Sequence, residues 1–221
     1  MSGFKDVVGH KDIIQYIQNA VEQDKVSHAY ILNGAKGSGK KMLAKLFAMT
    51  LQCENSQSEP CGECRSCRQA DSGNQPDIIT IQHEKPGSIS VDDIREQLNG
   101  DIMIKPYSNR YKIYIIPEAD LLTVQAQNAL LKTIEEPPAY GIILLLTTNA
   151  ASMLETILSR SIVLNMKPVE SEAFTSYMRE KGVDEDKIPT LEKFSQGNIG
   201  KGLKLAQSDD FISMIQRLCY Y

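Results

Sequence analysis

The sequence lacks any apolar run approaching the ~18 residues that a membrane-spanning helix needs, so no helical span is expected. It also lacks an excess of positive charge, since 24 Lys and Arg against 28 Asp and Glu leave a net charge of -4. That balance, with a pI of about 5.5, does not suit a protein that grips nucleic acid unaided. The opening residues 1–6 hold no apolar signal-peptide core, which makes the cytoplasm the default expectation. No low-complexity tract and no internal repeat is visible. Histidine is scarce, and His10, His28 and His83 form no ligand pair by spacing; they read as structural or surface residues. Against these absences, 42% hydrophobic content over 221 residues is enough for a real core and for more than one domain.

The most informative stretch runs from Gly34 to Lys41, Gly-Ala-Lys-Gly-Ser-Gly-Lys-Lys. It fits the phosphate-loop pattern G-x-x-x-x-G-K-[ST] at every position but the last. Glycines at 34, 37 and 39 let backbone N–H groups curl around a phosphate, and Lys40 is placed to reach its outer oxygens. An apolar run precedes the loop and a helical pattern follows it, the context that separates a phosphate loop from an ordinary Gly-rich turn. Lys41, however, stands where a hydroxyl would coordinate Mg²⁺. The nucleotide-binding candidates are therefore Gly34, Gly37, Ser38, Gly39, Lys40 and Lys41, with one metal ligand missing.

Periodicity predicts helices over 12–22, 40–53, 91–98, 123–135 and about 153–160, and strands over 29–33, 77–82, 111–116, 142–148 and 161–166. The continuously apolar 142–148 run suits a central parallel strand covered on both faces. Strands alternating with helices give an α/β class with a parallel five-stranded sheet. After Lys167-Pro168 the pattern turns helical over 170–181, 188–195 and 199–206, with another helix starting at 207. The expected division is a phosphate-loop domain at 1–167, a small three-helix lid at 168–208, and the start of a further helical domain at 209–221.

Between the second helix and second strand lies an insert, about 53–76, that reads as irregular. Its Cys53, Cys61, Cys64 and Cys67 fit a closed tetrahedral thiolate site, the structural form of zinc. Disulfides are the second reading, disfavoured by a reducing compartment, and an iron–sulfur cluster is the third. Cys219 stands alone. Tyr107, Tyr111 and Tyr114 lie near Lys105, Arg110 and Lys112, but alternation assigns most of them to strand faces rather than to a nucleic-acid patch.

Ser27-His-Ala-Tyr30, the four-cysteine insert, Ala129 to Pro138, Leu146-Thr-Thr-Asn149 and Ile157-Leu-Ser-Arg-Ser161 together resemble the AAA+ subunits of the bacterial DNA polymerase III clamp loader. The resemblance covers essentially the whole chain. It implies an AAA+ sheet, ATP or ADP as the ligand of the loop, and a C-terminal collar beyond the lid. It further implies partnership with gamma/tau and delta subunits and, through the complex, with the sliding clamp and primer–template DNA.

Three departures fall on Mg²⁺-dependent hydrolysis. The family's hydrolysing gamma/tau subunits end the loop in Ser or Thr; here it ends in Lys41. Their third strand ends in Asp-Glu, and here the pair is Pro117-Glu118. Their second domain carries a phosphate-sensing arginine in a Gly-Ser-x-Arg-like turn, and the matching turn here is Gly197-Asn-Ile-Gly200. Glu118 or Asp120 acting as substitute metal ligand is the alternative reading, which would keep an active gamma/tau-like ATPase. Arg160 reads by position as a solvated helix-end cation. The resemblance instead makes it an arginine finger offered in trans to a neighbour's ATP, the pattern of a non-hydrolysing stator subunit. Glu135-Glu136 read as a helix end, which the resemblance puts near a subunit boundary.

Overall fold

The computed structural model describes residues 3–55, 58–208 and 211 of the chain. Five parallel strands, β1 (Ala29–Asn33), β2 (Ile78–Thr80), β3 (Lys112–Ile116), β4 (Gly141–Thr147) and β5 (Ile162–Asn165), form one sheet in the order β2-β3-β4-β1-β5. β1 lies between β4 and β5, with Ala29 beside Ile143 and Tyr30 beside Ile162. The phosphate loop therefore leaves the sheet at the carboxyl end of an interior strand, where open α/β sheets bind ligands.

Alternate residues of the strands feed two cores. On one face Ile31, Tyr114, Ile116, Ile143 and Leu145 pack with Leu130 and Ile134 of α5 (Val124–Glu135) and with Ile94 and Leu98. On the other face Tyr30, Leu32, Ile113, Leu144 and Leu146 meet α1 (Lys11–Glu22) and α2 (Lys40–Gln52). Every residue of β4 is buried, as its unbroken apolar run requires. Tyr30 and Phe47 meet edge to face at 5.0 Å, fixing α2 against β1 behind the loop. Tyr114 and Lys112 are also buried; Lys112 Nζ lies 2.8 Å from Asp101 Oδ2, and the Tyr114 hydroxyl donates to the same oxygen. Those two residues belong to the core.

The structure revises several expected elements. The cysteine insert is not wholly irregular, because α3 (Arg65–Asp71) forms within it, with the Cys64 sulfur accepting from the Cys67 N–H as its cap. The second strand shortens to three residues. The helix expected over 91–98 is α4 (Val91–Ile94), capped by Ser90, and widens into a π-helical turn over Arg95–Asn99 in which Gly100 N–H donates to Arg95 C=O. The helix near 153–160 contracts to α6 (Glu155–Leu158), preceded by a 3₁₀ turn over Ala150–Ser152.

Beyond β5, α7 (Ser171–Glu180), α8 (Ile188–Ser195) and α9 (Ile199–Ala206) gather around Val169, Phe174, Met178, Ile188 and Leu191. This is a small core of their own. The helix expected from 207 onward falls mostly outside the described residues, as does Cys219. No helix among the described residues is long and apolar enough to cross a membrane.

Replacing Phe47 with Ala removes the ring that seats α2, and is expected to cost about 3–5 kcal/mol. A urea midpoint shift of that size, without a change in slope, is the check.

Candidate functional site

The loop Gly34–Gly39 leaves β1 with Gly34 N–H bonded to Thr147 C=O at 3.1 Å, and enters α2 through Gly39 at φ 94°. Gly37 sits at φ 88°, a left-handed conformation that favours glycine. Lys40 folds back on the loop, its ammonium donating to Gly34 C=O and, at 2.9 Å, to Ala35 C=O. Burial lowers the Lys40 pKa, and the negative charge of Asp120 opposes the shift.

A cleft of about 530 Å³ opens beside Gly37, Lys40 and Lys41, walled by Glu118, Asp120 and Thr148. Asp120 accepts from Thr147 Oγ1 at 3.2 Å and from Thr148 N–H at 3.1 Å. Glu118 lies 3.9 Å from His83 Nε2. Lys41 also lines an adjoining cavity with Pro117. The structure thus gathers Gly37, Gly39, Lys40 and Lys41 around one cleft, with both carboxylates that could substitute as metal ligands on its wall.

A second hollow, about 220 Å³, lies between the loop and the C-terminal helices and is lined by His10, Ala35, Ser38, Met166, Asn198 and Ile199, among others. His10 was not singled out by spacing. It stands 28 residues before Ser38 yet donates from Nε2 to Ser38 C=O at 3.0 Å, and burial lowers its pKa against that bond. No local pattern in the chain signals such a contact.

The close approach of the C-terminal helices to the loop was equally invisible. Gly200 N–H donates to Gly37 C=O at 3.1 Å, and Asn198 Nδ2 donates to Lys36 C=O at 3.0 Å. Asn198 caps α9 by accepting from Lys201 N–H at 2.9 Å. A Cβ at position 200 would lie 2.6 Å from Gly37 O, and one at 37 would lie 2.8 Å from Asn198 Oδ1. Here even a methyl group has no room.

Arg160 follows α6 at the surface, roughly 40% exposed. Its Nη2 lies 3.2 Å from Glu135 Oε1, and its Nη1 donates to Thr156 C=O at 3.1 Å. Arg160 is remote in sequence from the loop, and it lines none of the three cavities described above.

Cys53, Cys61, Cys64 and Cys67 converge so that all four sulfurs lie within 4.8 Å of one another. All four thiols are free, and Cys53 and Cys64 sulfurs are 4.0 Å apart, well beyond disulfide bonding. Zinc–thiolate bonds of about 2.3 Å in a tetrahedron put sulfurs about 3.8 Å apart, close to this spread. Backbone N–H groups of Cys61, Cys64 and Cys67 donate to the sulfurs of Cys53, Cys61 and Cys64 at 3.4, 3.3 and 3.3 Å. The N–H groups of Cys64 and Glu63 pull the Cys61 thiol down to about 6. Burial pushes the Cys53 and Cys67 thiols up, a shift that a bound cation would oppose. The donor set fits a metal. The cluster packs on Met49 of α2 through Cys64, Cys67 and Ala70.

Residues 9–170 match the family described as "DNA polymerase III, delta subunit". The chain belongs to this family of clamp-loader AAA+ subunits. It is 36% identical over 222 residues to the DNA polymerase III subunit tau/gamma of Haemophilus influenzae, covering 97% of this chain and 31% of that protein. It is 32% identical over 200 residues to the subunit delta' of Bacillus subtilis, covering 90% of this chain and 60% of that protein. The chain thus spans about a third of the tau/gamma relative and three-fifths of the delta' relative. In fold it resembles a DNA polymerase III gamma subunit-related protein from Thermotoga maritima, with TM-score 0.58 and 23% identity over 88% of this chain and 57% of that one. The Holliday junction branch migration motor RuvB of Thermotoga maritima is similar at TM-score 0.59 and 16% identity, over 95% of this chain and 64% of that one. These likenesses place the sheet in the AAA+ fold.

Two outcomes test the site. Gly200→Ala forces a methyl against the Gly37 carbonyl and is expected to destabilise the protein by about 1–3 kcal/mol, read by denaturant unfolding. Replacing Cys64 and Cys67 together with Ser is expected to abolish stoichiometric metal, read by elemental analysis, at a cost of about 4 kcal/mol or more.

Proposed function

We propose that this chain is the nucleotide-binding portion of a delta-prime, or stator, subunit of the DNA polymerase III clamp loader. Its own nucleotide site is degenerate, and Arg160 is offered in trans to the ATP of a neighbouring gamma/tau subunit. The subunit, working in the cytoplasm with gamma/tau and delta, assists ATP-dependent loading of the sliding clamp on primed DNA. The four cysteines hold a structural Zn²⁺, which supplies folding free energy to the insert and no chemistry. Helices α7–α9 act as the lid.

The observation that carries this reading is the seat of Gly200 on Gly37. In that position an arginine cannot sense a γ-phosphate, because its Cβ would occupy the space of the Gly37 carbonyl. Lys41 at the hydroxyl position and Pro117 at the acid position point the same way. Phosphoryl transfer depends on metal ions and positioned charge, so losing them together removes most of the catalytic stabilisation. Arg160, exposed at a helix end, keeps the charge that a neighbouring transition state needs.

One observation favours a second reading. Glu118 and Asp120 both wall the cleft beside Lys40, and a carboxylate pair there could hold Mg²⁺ in an active gamma/tau-like ATPase.

Replacing Arg160 with Ala is expected to leave assembly of the reconstituted loader intact. Hydrolysis at the neighbour's site should fall by about 10³-fold or more, read as clamp- and DNA-stimulated phosphate release. Unchanged release in an intact complex would contradict the finger assignment.

A further inference from the structure

Arg160 does not wave in solvent. Its Nη2 lies 3.2 Å from Glu135 Oε1, while Nη1 donates to Thr156 C=O at 3.1 Å and lies 3.4 Å from Ser159 Oγ. The carboxylate comes from the last residue of α5 and the carbonyl from within α6, so two elements grip one guanidinium. Those elements are tied together. Gln127 of α5 donates to Ser152 C=O at 3.2 Å and accepts from Leu154 N–H at 2.8 Å. α5 is itself anchored, with Leu130 and Ile134 buried in the sheet core and its end set by Pro137-Pro138. The Glu135 carboxylate therefore projects from a rigid support.

We propose that Glu135 is the positioning residue for Arg160, an inference that rests on the finger assignment above. A free arginine carries considerable rotamer freedom, which would have to be lost as the neighbour's transition state forms. Held by Glu135 and Thr156, the guanidinium has lost much of that freedom beforehand. Its five N–H donors exceed the contacts made here, so Nε–H and a further Nη hydrogen remain for phosphate oxygens. The pair is about 40% exposed on both sides, and such ion pairs contribute little to folding stability. Its value lies in direction.

In the reaction a water oxygen bonds to the γ-phosphorus as the bond to the β,γ-bridging oxygen breaks. ADP and phosphate result, with a proton released to solvent. Neither Arg160 nor Glu135 exchanges a proton; Arg160 balances charge on the transferring group, and Glu135 only orients Arg160.

The test uses the reconstituted loader containing the full-length subunit, with Arg160→Ala, Glu135→Ala, Glu135→Gln and the Arg160→Ala/Glu135→Ala pair. Glu135→Ala is expected to lower kcat about tenfold with KM for ATP unchanged and the complex intact by gel filtration. Glu135→Gln keeps an acceptor oxygen and should recover part of the rate. The double variant should be no slower than Arg160→Ala alone, since both act through one group. A normal kcat in Glu135→Ala alongside a slow Arg160→Ala overturns the positioning role alone. Losses that add fully in the double variant also overturn it. A normal rate in Arg160→Ala overturns the finger assignment and this inference with it.

Discussion

The backbone contact between Gly37 and Gly200 is the constraint on which the rest of the site turns. Two segments 163 residues apart meet carbonyl to amide at 3.1 Å, and neither position has room for a side chain. Gly37 must also hold a left-handed backbone to shape the loop. Asn198 joins the start of α9 to the loop, its Oδ1 accepting from Lys201 N–H while its Nδ2 donates to Lys36 C=O. The consequence is that the C-terminal helices rest directly on the phosphate loop. A long cationic side chain and this contact are alternatives at position 200.

Much of this was legible in the chain. The loop announced itself through glycine spacing, and the unbroken apolar run from Ile142 fixed a buried central strand. The four cysteines declared their site by spacing, and the structure brings their sulfurs within 4.8 Å. What could not be read was long-range and made by backbone or single polar atoms. His10 on Ser38 C=O, Asn198 on Lys36 C=O and Glu135 on Arg160 each join segments that no periodicity links. α3 was missed because seven residues starting at a cysteine cap, amid Gly, Ser and Pro, carry no clear apolar stripe. The π-helical turn after α4 was missed because side-chain periodicity barely distinguishes it from an α-helix.

The cysteine cluster and Arg160 sit on different parts of the fold. Cys64, Cys67 and Ala70 pack against Met49 of α2, and Ala70 also lines the cavity that shares Lys41 with the cleft. Arg160 and Glu135 lie where the C-terminal end of α5 meets α6, supported by the opposite face of the sheet. The two clusters rest on the same parallel sheet through different helices.

The central claim is that this chain offers charge to a neighbour's nucleotide but does not hydrolyse its own. The most direct test is ATP turnover by the purified protein with Mg²⁺, measured beside its Lys40→Ala variant. Background turnover is expected in both. Turnover that disappears with Lys40 would contradict the claim, and would mean that Glu118 and Asp120 hold a working metal despite Lys41, Pro117 and Gly200.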